Sequence, residues 1–177
     1  MQHSPIVGFY LGEQPDDRGR QLAAIQSWDD GRLEAVHDYI QWLFPLPERS
    51  AFNPDAPLLG AADIEAFRGS VELRERLLVS FRRMLAFYGL ALDGGESEPR
   101  IALAPDFPRQ AGNWLRPGNH NLLRITRILR CLTLLGLAEY ARALLACLER
   151  LYEEQAGTIG PVTMRYWRDA VRVDQPG

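Results

Sequence analysis

The stretch from Val71 to Tyr88 carries Leu77, Leu78, Phe81, Met84, Leu85 and Tyr88 at helical spacing, with no Gly or Pro to interrupt it. A stripe of that width is the buried face of a long amphipathic helix. Gly89, directly after it, is a natural C-terminal stop. The same period recurs along most of the chain and no period-2 run of strand length appears, so the sequence predicts an all-α fold. At 177 residues, with 46% hydrophobic and 24% charged residues, one soluble domain can bury a substantial core. The expectation is a single-domain helical bundle spanning 1–177, of about six to eight helices joined by Pro/Gly-rich loops.

Taken in order, Phe9 and Tyr10 are expected to anchor a short mixed N-terminal segment. Pro15-Asp16-Asp17 reads as a helix start, with Leu22, Ile25 and Trp28 following at helical spacing. Asp29-Asp30-Gly31 ends that helix and begins the next, in which Leu33, Val36, Ile40 and Leu43 share one face until Pro45 stops it. Four prolines between Pro45 and Pro57 leave an extended loop. Asp63 opens a short helix with Ile64 and Phe67, closed by Gly69-Ser70 before the long helix. Residues 93–99 form a polar, turn-rich loop expected to be mobile, and Pro105 to Pro117 reads as irregular, with Phe107 and Trp114 as anchors. Asn119 caps a helix that runs through Leu135 and stops at Gly136. Ala138 to Tyr152 follows as its antiparallel neighbour. Gly160-Pro161 opens a last helix burying Met164, Trp167 and Val171.

Several function classes are excluded on chemical grounds. A formal charge of −3 gives no general attraction to nucleic acid, so no nucleic-acid partner is expected. All 20 cationic side chains are Arg, a usage that fits a GC-rich genome and points to a bacterial source. Cys131 and Cys147 sit in apolar helical patterns and read as reduced core thiols of a cytoplasmic protein. With three scattered His they supply no recognisable metal set, so neither metal nor other cofactor is expected. No signal peptide opens the chain, and no segment is long and apolar enough to span a membrane. No Gly-x-Ser-x-Gly turn, phosphate-binding loop, dinucleotide fingerprint or His-Glu-x-x-His is present, so no catalytic residue is nominated and the reading is non-enzymatic.

Two stretches carry polar residues beside a core face. In the first, His37 and Gln41 flank the apolar stripe and Trp42 adds bulk. In the second, Leu122, Ile125, Leu129 and Leu132 form the core stripe, while His120, Arg124, Arg127 and Cys131 recur three or four residues apart beside it. Two guanidiniums and an imidazole near a helix N-terminus can hold a carboxylate or phosphate, because free backbone N–H groups and the helix dipole favour anions there. The alternative is structural, with Arg124 and Arg127 paired to acids such as Asp38 or Glu34. The nominated ligand-binding residues are His37, Gln41, Trp42, His120, Arg124 and Arg127. Aromatic walls with an Arg at one end suit a short peptide having an aromatic residue and a free carboxylate, with the loop 45–57 as a rim.

His37-Asp38-Tyr39-Ile40-Gln41-Trp42-Leu43-Phe44-Pro45-Leu46, followed by Phe52-Asn53, resembles the signature of the opioid growth factor receptor conserved region. Asn119-His120-Asn121-Leu122-Leu123-Arg124-Ile125-Thr126-Arg127-Ile128-Leu129-Arg130 resembles that family's second signature, where Tyr is usual at the position of Leu123. The resemblance covers about residues 9 to 172. Eukaryotic members bind the pentapeptide Met-enkephalin and act in growth regulation, associated with the nucleus and perinuclear membranes. The resemblance therefore implies a peptide-binding or regulatory domain without catalysis, its partner a short peptide or small anionic molecule. The long acidic, Pro-rich repeat tail and Lys-rich localisation segments of the eukaryotic members are missing from this sequence. The alternative function is an interaction or scaffold protein whose signature residues are architectural.

Overall fold

The computed structural model describes residues 2–172. Among them lie ten helices and one hairpin: α1 (Pro5–Leu11), α2 (Leu22–Gln26), α3 (Asp30–Ala35), α4 (Ile40–Leu43), α5 (Ala61–Gly69), α6 (Val71–Tyr88), β1 (Leu90–Asp93), β2 (Arg100–Leu103), α7 (Phe107–Trp114), α8 (His120–Leu134), α9 (Ala138–Ile159) and α10 (Pro161–Ala170). The protein is mostly helical, but the hairpin makes it not purely all-α, and the helices outnumber the six to eight expected. The chain divides into two compact units, one up to Arg83 and one from Met84 onward.

In the N-terminal unit, Ser4 caps α1 by accepting from Val7 N, Pro5 occupies the first turn, and Gly12 closes the helix at φ 76°. The expected mixed segment is therefore a helix, one too short for periodicity to reveal. It delivers Phe9 and Tyr10 to full burial. Phe9 meets Trp42 edge-on at 5.2 Å and Tyr10 meets Phe67 at the same distance. The Tyr10 hydroxyl donates to the Leu43 carbonyl and lies 3.1 Å from Ser80 Oγ, so one side chain joins α1 to α4 and α6.

Pro15-Asp16-Asp17 does not start a helix. Asp16 Oδ1 accepts instead from the backbone N–H of Arg18 (2.9 Å) and Arg20 (2.8 Å), holding a turn, and α2 begins only at Leu22. The expected helix through Leu33 and Leu43 is broken in two. Asp29 caps α3, accepting from Arg32 N, and Val36 then turns extended at φ −95°, ψ 134°. Val, His, Asp and Tyr are all indifferent helix formers. The run 36–39 yields to tertiary hydrogen bonds: the Tyr39 hydroxyl donates to the Leu33 carbonyl at 2.8 Å, and Arg20 reaches Asp38.

In the C-terminal unit, Gly89 at φ 76° turns the end of α6 into β1. β1 pairs antiparallel with β2 in the register Leu90↔Leu103 to Asp93↔Arg100. Four-residue strands are too short for alternation to show in the sequence. The segment 105–117, expected to be irregular, contains α7, with Pro108 in its first turn. Trp114 is fully buried and donates from Nε1 to the Tyr88 carbonyl at 3.0 Å. α8 starts on Asn119 as expected, and Gly136 at φ 88° follows its end. α9 runs past Tyr152 to Ile159, with a non-helical residue at Gln155. α10 packs on both, burying Met164 and Trp167; Val171 lies just beyond it and is half-buried. Trp167 Nε1 donates to the Leu122 carbonyl at 3.0 Å.

Gly89 has no room for a side chain: a Cβ there meets Phe107 Cα at 2.8 Å, and its φ is positive. Gly89→Ala is expected to destabilise the protein by about 1–2 kcal/mol from the left-handed backbone alone, with the clash adding to it. Urea unfolding of both proteins checks this, and an unchanged midpoint would contradict the close approach.

Candidate functional site

The first nominated set lies in the N-terminal unit. His37 is exposed in the turn between α3 and α4, not on a helix edge as its spacing suggests. Trp42 is buried, and its indole Nε1 donates to Asp17 at 3.0 Å. Gln41 is only 5% exposed; its Nε2 lies 3.4 Å from Ser50 Oγ, and its Oε1 is buried without a hydrogen-bond donor among the described residues. Ser50 Oγ also accepts from Phe52 N and Asn53 N, and Asn53 Nδ2 donates to the Asp38 carbonyl. These bonds fix the Pro-rich loop and leave the Phe52 ring 80% exposed on it.

The same unit holds a charged cluster that spacing did not single out. Arg20 Nε donates to Asp16 at 2.7 Å and its Nη1 to Asp38 at 2.8 Å, while Arg18 reaches the other Asp38 oxygen at 3.2 Å. Asp38, named above as a partner for the arginines of the second signature, thus has its carboxylate held by Arg20 and Arg18. The Arg20 and Arg32 guanidiniums lie 5.5 and 4.3 Å from the centre of the Trp28 ring. Burial pushes the Asp38 carboxyl up, but the hydrogen bond and charge of Arg20, with the charge of Arg18, outweigh it and hold the group below the ordinary Asp range. Burial likewise opposes the charge of Arg20, and its bonds to Asp38 and Asp16 more than offset that. The one available signal was the Asp16-x-x-x-Arg20 spacing, which the helical reading of Pro15-Asp16-Asp17 obscured.

The second set lies at the start of α8. Asn119 accepts from Asn121 N at 2.9 Å through Oδ1, and its Nδ2 donates to the Asn113 carbonyl, tying the helix start to α7. His120 is exposed and Arg127 half-buried, whereas Arg124 is only 6% exposed. Arg124 Nη1 donates to Asn121 Oδ1 at 3.4 Å, and Asn121 Nδ2 lies 3.5 Å from His120 Nε2. The structure thus brings His120 and Arg124 together through Asn121, a fully buried residue that the spacing argument passed over. Its signal was a weak helix former kept inside the first turn. Cys131 is fully buried on the same helix; burial drives its thiol up, and the nearby charge of Arg127 does not compensate. Burial raises the Cys147 thiol as well.

The opioid growth factor receptor conserved region, as a family, matches residues 7–176. The chain belongs to this family. It is similar to the opioid growth factor receptor of Mus musculus, 38% identical over 152 residues, which cover 84% of this chain and 24% of that protein. The Homo sapiens receptor is 36% identical over 152 residues, covering 84% and 22%. Opioid growth factor receptor-like protein 1 of Xenopus tropicalis is 37% identical over 132 residues, covering 72% and 25%. This family member spans about a quarter of the length of these relatives. No solved structure matches it significantly.

Asp38 also sets a pH dependence. Because its folded pKa lies below the unfolded one, its pairing contributes stability that is present above about pH 4 and is lost as pH falls through the depressed folded value. Asp38→Asn should lower the melting temperature most at neutral pH, and the gap to wild type should narrow below about pH 4. Thermal unfolding at stepped pH measures it; a gap that persists at about pH 2 would show that the carboxylate's charge is not what matters.

Proposed function

We propose that this chain is a non-enzymatic domain that binds a short peptide or small anionic ligand in a regulatory role. His120, Arg124 and Arg127 of α8 are the residues that receive the anionic group. The observation that carries this reading is the grouping of an imidazole and a guanidinium on one buried carboxamide in the first turns of a 15-residue helix. Backbone N–H groups and the helix dipole favour negative charge at such a place. That these relatives are opioid growth factor receptors supports a receptor-type role for this chain. Within the N-terminal unit the nominated residues are His37, Gln41 and Trp42, among which Gln41 keeps a buried carbonyl oxygen without a donor among the described residues.

One further point favours binding over thiol-based catalysis. Both thiols are buried and shifted away from ionisation, so neither supplies a thiolate nucleophile at neutral pH. The two unpaired thiols fit a reducing cytoplasm, and no helix among the described residues is long and apolar enough to cross a membrane.

The second reading, that the signature residues are architectural, is favoured by how many of their hydrogen bonds are spent internally: Trp42 on Asp17, Asn53 on the Asp38 carbonyl, Asn119 on Asn121 N and Asn113. The two readings separate in a thermal-shift screen of peptides, nucleotides and organic anions, because a ligand specific to the native state raises its melting temperature. On the ligand reading, Arg124→Gln and Arg127→Gln each weaken the hit by about tenfold or more, the loss of one charge-assisted hydrogen bond, while unfolding stays cooperative. Loss of cooperative folding in these variants, or a screen without hits, supports the architectural reading instead.

A further inference from the structure

Gln41 of α4 is 5% exposed, and only one end of its carboxamide is engaged. Nε2 lies 3.4 Å from Ser50 Oγ, and Oε1 is buried without a partner among the described residues. Turning the group over would not cure this, because Oε1 would then accept from the Ser50 hydroxyl and leave the NH2 group unpaired. A buried amide half satisfied in this way works against folding, and a leucine of similar shape would escape that cost. Ser50 extends the feature to the surface. Its Oγ also accepts from Phe52 N at 3.2 Å and Asn53 N at 3.3 Å, so the hydroxyl beside Gln41 braces the turn that presents Phe52. Asn53 Nδ2 ties the same turn to the Asp38 carbonyl at 3.3 Å, and Arg49 Nη1 donates to the Pro54 carbonyl at 2.8 Å. The Phe52 ring is nevertheless 80% exposed, and Leu58 of the same loop is 44% exposed. An aromatic ring held in water by a braced turn gains free energy from whatever covers it.

We infer that Gln41, Ser50 and Phe52 form one subsite for a backbone amide of an extended peptide segment. The unengaged end of the Gln41 carboxamide pairs with the peptide group, and the Phe52 ring covers the apolar side chain beside it. This subsite rests on the peptide form of the ligand reading above and selects among its ligands. A peptide group offers both a C=O and an N–H, so it satisfies the carboxamide in either orientation. A carboxylate or phosphate has no hydrogen to give and satisfies only the NH2 end. Because Gln41 is buried, the segment reaches it by displacing the turn at 50–53, and the 3.4 Å contact to Ser50 is the weak one that yields.

The test compares the full chain with its Gln41→Leu and Phe52→Ala variants, first by melting temperature without ligand. The probes are tripeptides with a central apolar residue, acetylated at the N-terminus and amidated at the C-terminus so that they carry no terminal charge, with inorganic phosphate alongside. Binding is read by thermal shift and by movement of backbone amide NMR signals. Both variants should melt within about 2 °C of the wild type or above it. The blocked tripeptides should bind the wild type, and each substitution should weaken them by about tenfold or more. A Gln41→Leu protein that fails to fold, or that melts lower by more than about 2 °C, would mean that the carboxamide braces the loop, and it overturns the inference without touching the ligand reading. Equal binding of the tripeptides by the wild type and both variants does the same. A response to phosphate alone overturns the peptide subsite and leaves an anionic ligand standing, whereas a response to neither probe counts against both.

Discussion

The N-terminal unit depends on the meeting of Arg20 with Asp38 at 2.8 Å. Arg20 is also held by Asp16, whose side chain is wholly buried, and its guanidinium lies over Trp28. A guanidinium mostly out of water is favoured by anionic partners, because partial burial weakens the competing interaction with solvent. Asp38 is therefore bound to a place next to Arg20 that a continuous helix through Leu33 and Leu43 would not give it. The break at Val36–Tyr39 accompanies that placement, as do the positions of Gln41, Trp42 and the loop that Asn53 ties to the Asp38 carbonyl. Such a pair acts more through the conformation it selects than through net stabilisation, because its desolvation cost offsets much of the attraction.

In the C-terminal unit the corresponding constraint is backbone and indole hydrogen bonding. Trp114 and Trp167 are fully buried, and each spends its N–H on a carbonyl, of Tyr88 and Leu122 respectively. A buried indole without an acceptor is costly. These two bonds therefore set where α7 meets the end of α6 and where α10 meets the start of α8. The same start of α8 carries Asn119, Asn121 and Arg124, so the residues nominated for ligand binding sit on a helix end that its neighbours hold in place.

Much of this was legible in the residues. The bounds of α6, the cap at Asn119, the stop at Gly136 and the opening of α10 at Pro161 are local signals, and each lies where the spacing placed it. The family resemblance came from two blocks of consecutive residues, which need no knowledge of the fold. The short elements escaped: α1, α7 and each strand of the hairpin are eight residues or fewer, less than periodicity can resolve.

The sequence by itself determined the helical character, the long amphipathic stripes and the family, because these rest on residue types at fixed spacing along one chain. Tertiary structure alone decided that the expected helix through Leu33 and Leu43 breaks into two short ones and that Arg20 and Arg18 hold Asp38. Arg20 and Asp38 are eighteen residues apart, and a single bond between side chains that distant leaves no periodic trace; it forms only once the fold has brought the two groups together, where partial burial strengthens it.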